Sequence, residues 1–386
     1  MGPPARLKYM SHSDCRYREG QACFELGSAF FRPKARPARD LGVLSARLER
    51  RDRGQLRVLE TMAGSGIRSL RYVLEAEADA VHCSDADPEV VPLLRANLAA
   101  QLSPERWQAR CDSADRRFAE CFAHQDFYDL VDVDGFGSGG PQLARCLDAV
   151  RVGGLLYFTA TDGRATTGHD RRQSRLIYGA DARAHPASQE QGLRLILATL
   201  QQQAWMRGFG LRPLFSLFNG ETFRVMVRLL PKPTPPAGVG WIGYCHHCGD
   251  YRQLDWPRGD RLTCPDDAHP LVLSGPLWVG PLHDPGWLTR LRTEALLQAE
   301  READARPWRA LITLIDTLAG EVDLPPWFYT LGEIGRRGRR DLPRREDLLR
   351  VLRQAGYRAV PSHIQAAAVK TDARLATCLQ LAVTKL

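Results

Sequence analysis

No stretch of this 386-residue chain stays apolar for long enough to cross a bilayer, and its first residues lack the apolar core of a secretory signal. The expectation is a soluble, cytoplasmic protein with no membrane partner. Lysine is scarce, and arginine carries nearly all of a formal charge of +8. Paired cysteines are scarce too. Cys15, Cys23, Cys83, Cys111, Cys121, Cys146 and Cys378 are scattered singly, as reduced apolar residues are, and this excludes a secreted disulfide frame. Only Cys245 and Cys248 stand close together.

What is present is a 44% hydrophobic fraction, enough for sizeable cores, in a length that favours two domains. The pI of about 9.1 suits a polyanionic partner. Arginine suits phosphate in particular, because its planar fork binds two oxygens at once. A genome rich in arginine codons would leave the same composition, so charge alone does not decide.

The first 40 residues read as an irregular basic arm in which Gly20 to Phe31 could include a strand pair, and Pro33 and Pro37 argue against any regular element after it. There Arg32, Lys34, Arg36 and Arg39 interleave with Phe30 and Phe31, as a nucleic-acid strand would require. An α/β alternation follows. Strands are expected at 56–60, 80–84, 107–111, 127–133 and 155–161. Helices are expected at 67–77, from Pro88, from Pro141 and over 188–206. Two further runs, 214–218 and 223–229, flank Asn219-Gly220, a strong hairpin signal. The pattern predicts a doubly wound, Rossmann-like sheet with an antiparallel edge hairpin. Residues 231–240, P-K-P-T-P-P-A-G-V-G, read as a stiff linker. A second, α+β domain would follow, with an amphipathic helix near 344–354.

Ligands of such sheets bind outside the carboxyl ends of the strands. Four acids stand at successive predicted strand ends: Glu60, Asp85, Asp112 (with Ser113 beside it) and Asp134. The first loop, Thr61-Met62-Ala63-Gly64-Ser65-Gly66, has Ser69 where a dinucleotide fold would have its third glycine. S-adenosylmethionine fits better, since it carries an amino acid and no pyrophosphate. Glu60 would hold its ammonium, Asp85 its ribose hydroxyls and Asp112 its adenine amine. Asp134-Gly135-Phe136-Gly137 places an acid, an aromatic ring and close backbone in the crevice, although an Asx turn would look the same in isolation.

On these residues the chain resembles the tRNA guanine-N2 dimethyltransferase family nearly end to end. F-F-R-P…R-D-L (residues 30–41) and E-T-M-A-G-S-G-I-R-S-L-R-Y (60–72) are similar to two of that family's segments. So are D-V-D-G-F-G-S (132–138), G-P-L-W-V-G-P-L-H-D (275–284), G-Y-R-A-V-P-S-H-I (356–364) and V-K-T-D-A (369–373). The resemblance implies a class I methyltransferase acting on N2 of guanosine 26 in tRNA, giving N2-methyl- and N2,N2-dimethylguanosine. It implies Asp134 as the catalytic acid, Phe136 and Phe30 as stackers of the flipped base, and Arg39, Arg68, Asp85 and Asp112 around the cofactor. The domains would be an N-terminal arm (1–40), a methyltransferase domain (41–230), a linker (231–240) and a tRNA-binding domain (241–386). There the basic run Arg336, Arg337, Arg339 and Arg340 would meet phosphates. Two departures are visible. Gly135 replaces a family proline, and Asp267 stands where the fourth knuckle cysteine is expected. Cys245, Cys248 and Cys264 with His269 would still complete a tetrahedral zinc site, the alternative being a knuckle that folds without metal. Rival readings are an amino-group methyltransferase acting on another nucleic acid and a catalytically degenerate RNA-binding protein.

Overall fold

The computed structural model describes residues 16–235, 238–255, 262–339, 341 and 343–384. A hairpin of β1 (Arg16–Glu19) and β2 (Ala22–Glu25) turns at Gly20 and leads to a single 3-10 turn, Pro33–Ala35. The expectation that Pro33 and Pro37 forbid regular structure is wrong. Pro37 lies in the first turn of α1 (Arg36–Arg53), where a missing N–H costs nothing because that donor has no intrahelical acceptor. The boundary drawn between residues 40 and 41 therefore falls inside a helix.

The alternation then follows as β3 (Arg57–Thr61), α2 (Ile67–Leu74), β4 (Ala80–Asp85), α3 (Val91–Ala99), β5 (Trp107–Cys111), α4 (Ala114–His124), β6 (Tyr128–Asp134), α5 (Gly140–Arg145) and β7 (Val150–Ala160). Pro88 lies ahead of α3, and it is Pro92 that occupies the helix's first turn. Short helices α6 (Gly163–Thr166) and α7 (Arg171–Tyr178) precede the long α8 (Ser188–Met206), and β8 (Gly210–Phe218) and β9 (Phe223–Leu230) close the sheet. Its order is β5-β4-β3-β6-β7-β9-β8. The first five strands are parallel, and β9 runs antiparallel to both of its neighbours, β7 and the edge strand β8. The chain reverses direction across the sheet between β3 and β6. That switch point is where the carboxyl ends of neighbouring strands part and leave a crevice.

Beyond it come β10 (Val239–Tyr244), β11 (Tyr251–Leu254) and β12 (Val272–Trp278) in one small sheet, so the expected linker already holds the start of a strand. Then follow α9 (Pro285–Arg301), α10 (Arg306–Gly320), β13 (Tyr329–Thr330), α11 (Leu331–Gly338), α12 (Arg345–Gln354), β14 (Ala359–Pro361), β15 (Ala368–Thr371) and α13 (Leu375–Thr384). The two parts of the chain share a core. Leu193, Leu195, Ile196, Leu197 and Leu200 leave α8 apolar nearly all round, as a helix enclosed on every side must be. It packs on β8 on one side and on β12 on the other. Each such side chain contributes about 1.5–3 kcal/mol on burial. Asp181 and Gly275 also exchange two backbone hydrogen bonds, of 2.8 and 3.1 Å. Among the described residues, no helix is long and apolar enough to cross a membrane.

Candidate active site

A cavity of about 960 Å3 opens at the carboxyl ends of the central strands. Its β3 side is built from Glu60, Met62, Ala63, Gly64, Ser65 and Asp85. The loop after β3 is shaped by left-handed backbone at Met62, Gly64 and Gly66. Gly66 is required twice over, since a Cβ there would also lie 2.6 Å from Leu94. The Gly64 N–H donates to Asp85 Oδ2 (2.9 Å), while Asp85 Oδ1 accepts from the Asp87 N–H (3.0 Å), so β4 holds the loop in place. Glu60 is buried, and its Oε2 accepts the Ser69 N–H (2.9 Å) and the Ser69 hydroxyl at the start of α2. Burial, with Asp132 beside it, pushes this carboxyl up to about 8.

Asp134, at the end of β6, has the opposite environment. Arg68 reaches its Oδ2 from α2 through Nε (3.0 Å) and Nη2 (2.9 Å), and Arg224 reaches Oδ1 from β9 at 3.0 Å. Burial works against the charge, but Arg224 and then Arg68 outweigh it and hold the carboxyl well below the usual carboxylate range. Both arginines are fixed in turn. Arg68 also binds Asp132 (2.9 Å), which accepts from the Tyr72 hydroxyl (2.5 Å), and Arg224 donates to Thr159 Oγ1 (2.7 Å). The two guanidiniums lie over the Tyr157 ring, 5.7 and 6.0 Å from its centre. The result is a carboxylate that stays ionised and binds protons weakly.

Phe30 and Phe136 remain 65% and 67% exposed at the mouth, with ring centres 5.1 Å apart in an edge-on contact. Two large rings left in water beside a polar cavity offer a flat ligand a stacking surface. The structure thus brings together Phe30, Arg39, Glu60, Ala63, Gly64, Arg68, Asp85, Asp134 and Phe136. Gly66, Asp112 and Ser113 do not line the cavity. Gly66 precedes α2, Asp112 follows β5 one strand further out, and Ser113 caps α4 through the Arg116 N–H. Arg39, expected at the cofactor, lines the cavity, with its guanidinium bound to Glu19 of the hairpin (2.7 and 2.5 Å) and stacked on Phe31. Arg224 escaped the sequence reading, although an arginine inside the apolar run Phe223–Leu230 signals a buried acid partner.

The knuckle needs one correction. Cys245, Cys248 and Cys264 converge with Asp267, not with His269, their ligand atoms all lying within 4.8 Å of one another. His269 turns away and stacks on His247, ring centres 3.9 Å apart, because its own hydrogen bonds run to Asp267. In the basic run, Arg337 is also spent. It binds Glu333 and the carbonyls of His246 (2.9 Å) and His247. Arg336 pairs with Glu333 yet keeps an exposed side chain, Arg339 is exposed, and Arg340 lies outside the described residues. His363 and Lys370, for which the sequence offers no role, are engaged in the interior, His363 in a hydrogen bond with Glu321 and Lys370 in an ion pair with Glu190.

The sheet and its cavity define a Rossmann-like methyltransferase. A family model described as N2,N2-dimethylguanosine tRNA methyltransferase matches residues 16–382. The chain belongs to that family. A tRNA (guanine(26)-N(2))-dimethyltransferase of Thermococcus kodakarensis is 28% identical over 364 residues, covering 89% of this chain and 90% of its own. One of Mus musculus is 29% identical over 343 residues, covering 82% of this chain and 51% of its own. The solved structure of Trm1 from Pyrococcus horikoshii with S-adenosyl-L-methionine superposes with a TM-score of 0.81 at 24% identity, over 95% of this chain and 99% of the other, a likeness of fold.

Proposed function

We propose that this chain transfers methyl groups from S-adenosylmethionine to the exocyclic N2 of guanosine 26 in tRNA, giving N2-methyl- and then N2,N2-dimethylguanosine. The observation that carries the reading is Asp134, held ionised between Arg68 and Arg224 beside the exposed rings of Phe30 and Phe136. Membership of the family, and relatives that bear this activity in their names, support the substrate.

S-adenosylmethionine, when bound, supplies an electrophilic methyl group on a positively charged sulfur. The residues of the β3 side fit it. Glu60 would supply the ammonium-binding charge once ionised, Asp85 has two acceptor oxygens for ribose hydroxyls, and the backbone of Ala63 and Gly64 lines the wall between them. Asp112 and Ser113, one strand further out, would meet only the adenine end. The guanine amine is a poor nucleophile because its lone pair is delocalised into the ring. Asp134 and a neighbouring backbone carbonyl can accept the two amine hydrogens and so turn the lone pair out of the ring plane. Once the nitrogen carries its new bond it is strongly acidic, and even a carboxylate as weakly basic as Asp134 can take the proton. Phe30 and Phe136 would hold the extruded base, with stacking worth roughly 1–3 kcal/mol.

Incubation of unmodified tRNA and S-adenosylmethionine with the protein should yield N2-methylated guanosine at position 26 on nucleoside mass spectrometry. Methylation confined to adenine or cytosine, or none, overturns the reading. The C-terminal region would grip tRNA, with Arg336 and Arg339 meeting phosphates. Its knuckle fits zinc, because three thiols and the Asp267 carboxylate supply four donors of the kinds zinc takes. Purified protein should then carry about one zinc per chain, retained in His269→Ala and lost in Asp267→Ala. The reverse pattern would restore His269 as the fourth ligand.

A further inference from the structure

On the far side of Asp134 from the loop after β3, the cavity is lined by Thr161, Thr167, the β8–β9 loop and Gln189, the second residue of α8. The Gln189 Oε1 atom is buried and takes no hydrogen bond among the described residues. A buried carboxamide oxygen without a partner is costly unless a ligand satisfies it. The turn that carries it is held from several directions. Glu190 accepts Lys370 Nζ on both oxygens (2.6 Å to Oε2), and Arg194 Nη2 on Oε1 (2.6 Å). Arg194 is anchored on the Trp278 and Gly280 carbonyls, both at 2.9 Å. Gln191 donates to the Thr166 carbonyl (2.8 Å) and meets His185 Nε2 (3.0 Å). Lys370 comes from β15, 180 residues from Glu190, and is buried.

We propose, resting on the methyltransferase reading above, that Gln189 pairs with the guanine edge and that Lys370, through Glu190, is the positioning residue that fixes it. The Watson–Crick edge of guanine presents O6, N1–H and the N2 amine in a row. With the amine on Asp134, the adjoining acceptor–donor pair matches a carboxamide, whose Nε2 donates to O6 while Oε1 accepts from N1–H. This explains why a polar side chain stands unpaired on an otherwise satisfied helix turn. It also gives the V-K-T-D-A segment a task at a site it never touches.

The test compares single-turnover methyl transfer to tRNA carrying guanosine or 2-aminopurine riboside at the target position. The analogue keeps the amine but lacks O6 and N1–H. Wild type should prefer guanosine. Gln189→Met, which keeps length and volume, should cut that preference by about tenfold or more, with cofactor affinity unchanged. Lys370→Met should do the same and Lys370→Arg should restore it. Equal slowing on both bases overturns the proposal, because general damage to the fold does not distinguish them. A fall in cofactor affinity that parallels the rate places Gln189 on the cofactor instead and also overturns it. Failure of the wild type to methylate N2 of guanosine sinks the methyltransferase reading, and this proposal with it, whereas the outcomes above overturn this proposal alone.

Discussion

The two halves of the cavity hold acids on adjacent strands, one buried and one half-buried, with opposite fates. Glu60 on β3 lies in register with Asp132 on β6, two residues short of Asp134. Glu60 sits among other acids with, among the described residues, only Ser69 as a donor, and its carboxyl is pushed up to about 8. Asp134 has a guanidinium on each oxygen and is held ionised far below the usual range. Identical chemistry is thereby divided into two roles. Under the proposed function Glu60 would be ionised by an arriving cation, and Asp134 would serve as a permanent acceptor for amine hydrogens. Environments that push like groups apart are how a site assigns its work.

The largest expected effect breaks the Asp134 half. Asp134→Asn keeps the shape but removes the charge, and methyl transfer at saturating substrates should fall about a hundredfold to ten-thousandfold. Cofactor affinity, which belongs to the other half, should stay within about threefold, as equilibrium binding would show. A near wild-type rate would move the acid's role to Asp132.

The Glu60 half should respond to pH. Its folded value lies above the ordinary one, so its contribution to stability is fully present below the ordinary carboxyl range and is lost as pH rises through about 8. Binding an ammonium requires the ionised form. Cofactor affinity should therefore rise with pH between about 6.5 and 8, by up to roughly tenfold per unit, with proton release on binding. Calorimetry in buffers of different ionisation enthalpy would detect that proton. Glu60→Gln should weaken binding and abolish the slope, and a slope that survives would remove Glu60 from the ammonium site.

The smallest effect lies where the halves touch. A Cβ on Gly135 would meet Met62 Cε at 3.2 Å and Sδ at 3.3 Å, the flexible end of a side chain. Gly135→Ala should therefore change the single-turnover rate by less than about threefold. A larger loss would show that Met62 cannot yield and that the two halves are mechanically coupled through it.

What was legible in the sequence was local. Apolar runs of strand length, glycine turns and acids at strand ends follow periods of two and 3.6 residues. These located the doubly wound sheet, α8 to the residue, and Glu60, Asp85 and Asp134 as the acids of the crevice. Motif resemblance added Phe30 and Phe136, which the fold then brought within 5.1 Å of each other. Choices among partners far apart in the chain were not legible. Ligand type favoured His269, although Asp267 held the expected fourth position, and it is the aspartate that the backbone aims at the thiols. Arg337 looked like one more cation of a basic run, yet it is bound to the knuckle carbonyls. Arg224 and Arg68 meet on Asp134 only because the fold brings β9 and α2 together at the end of β6. A side chain's charge is written in the sequence, whereas its partner, and with it its protonation and its role, depends on distances of a few ångströms that only the packed chain establishes.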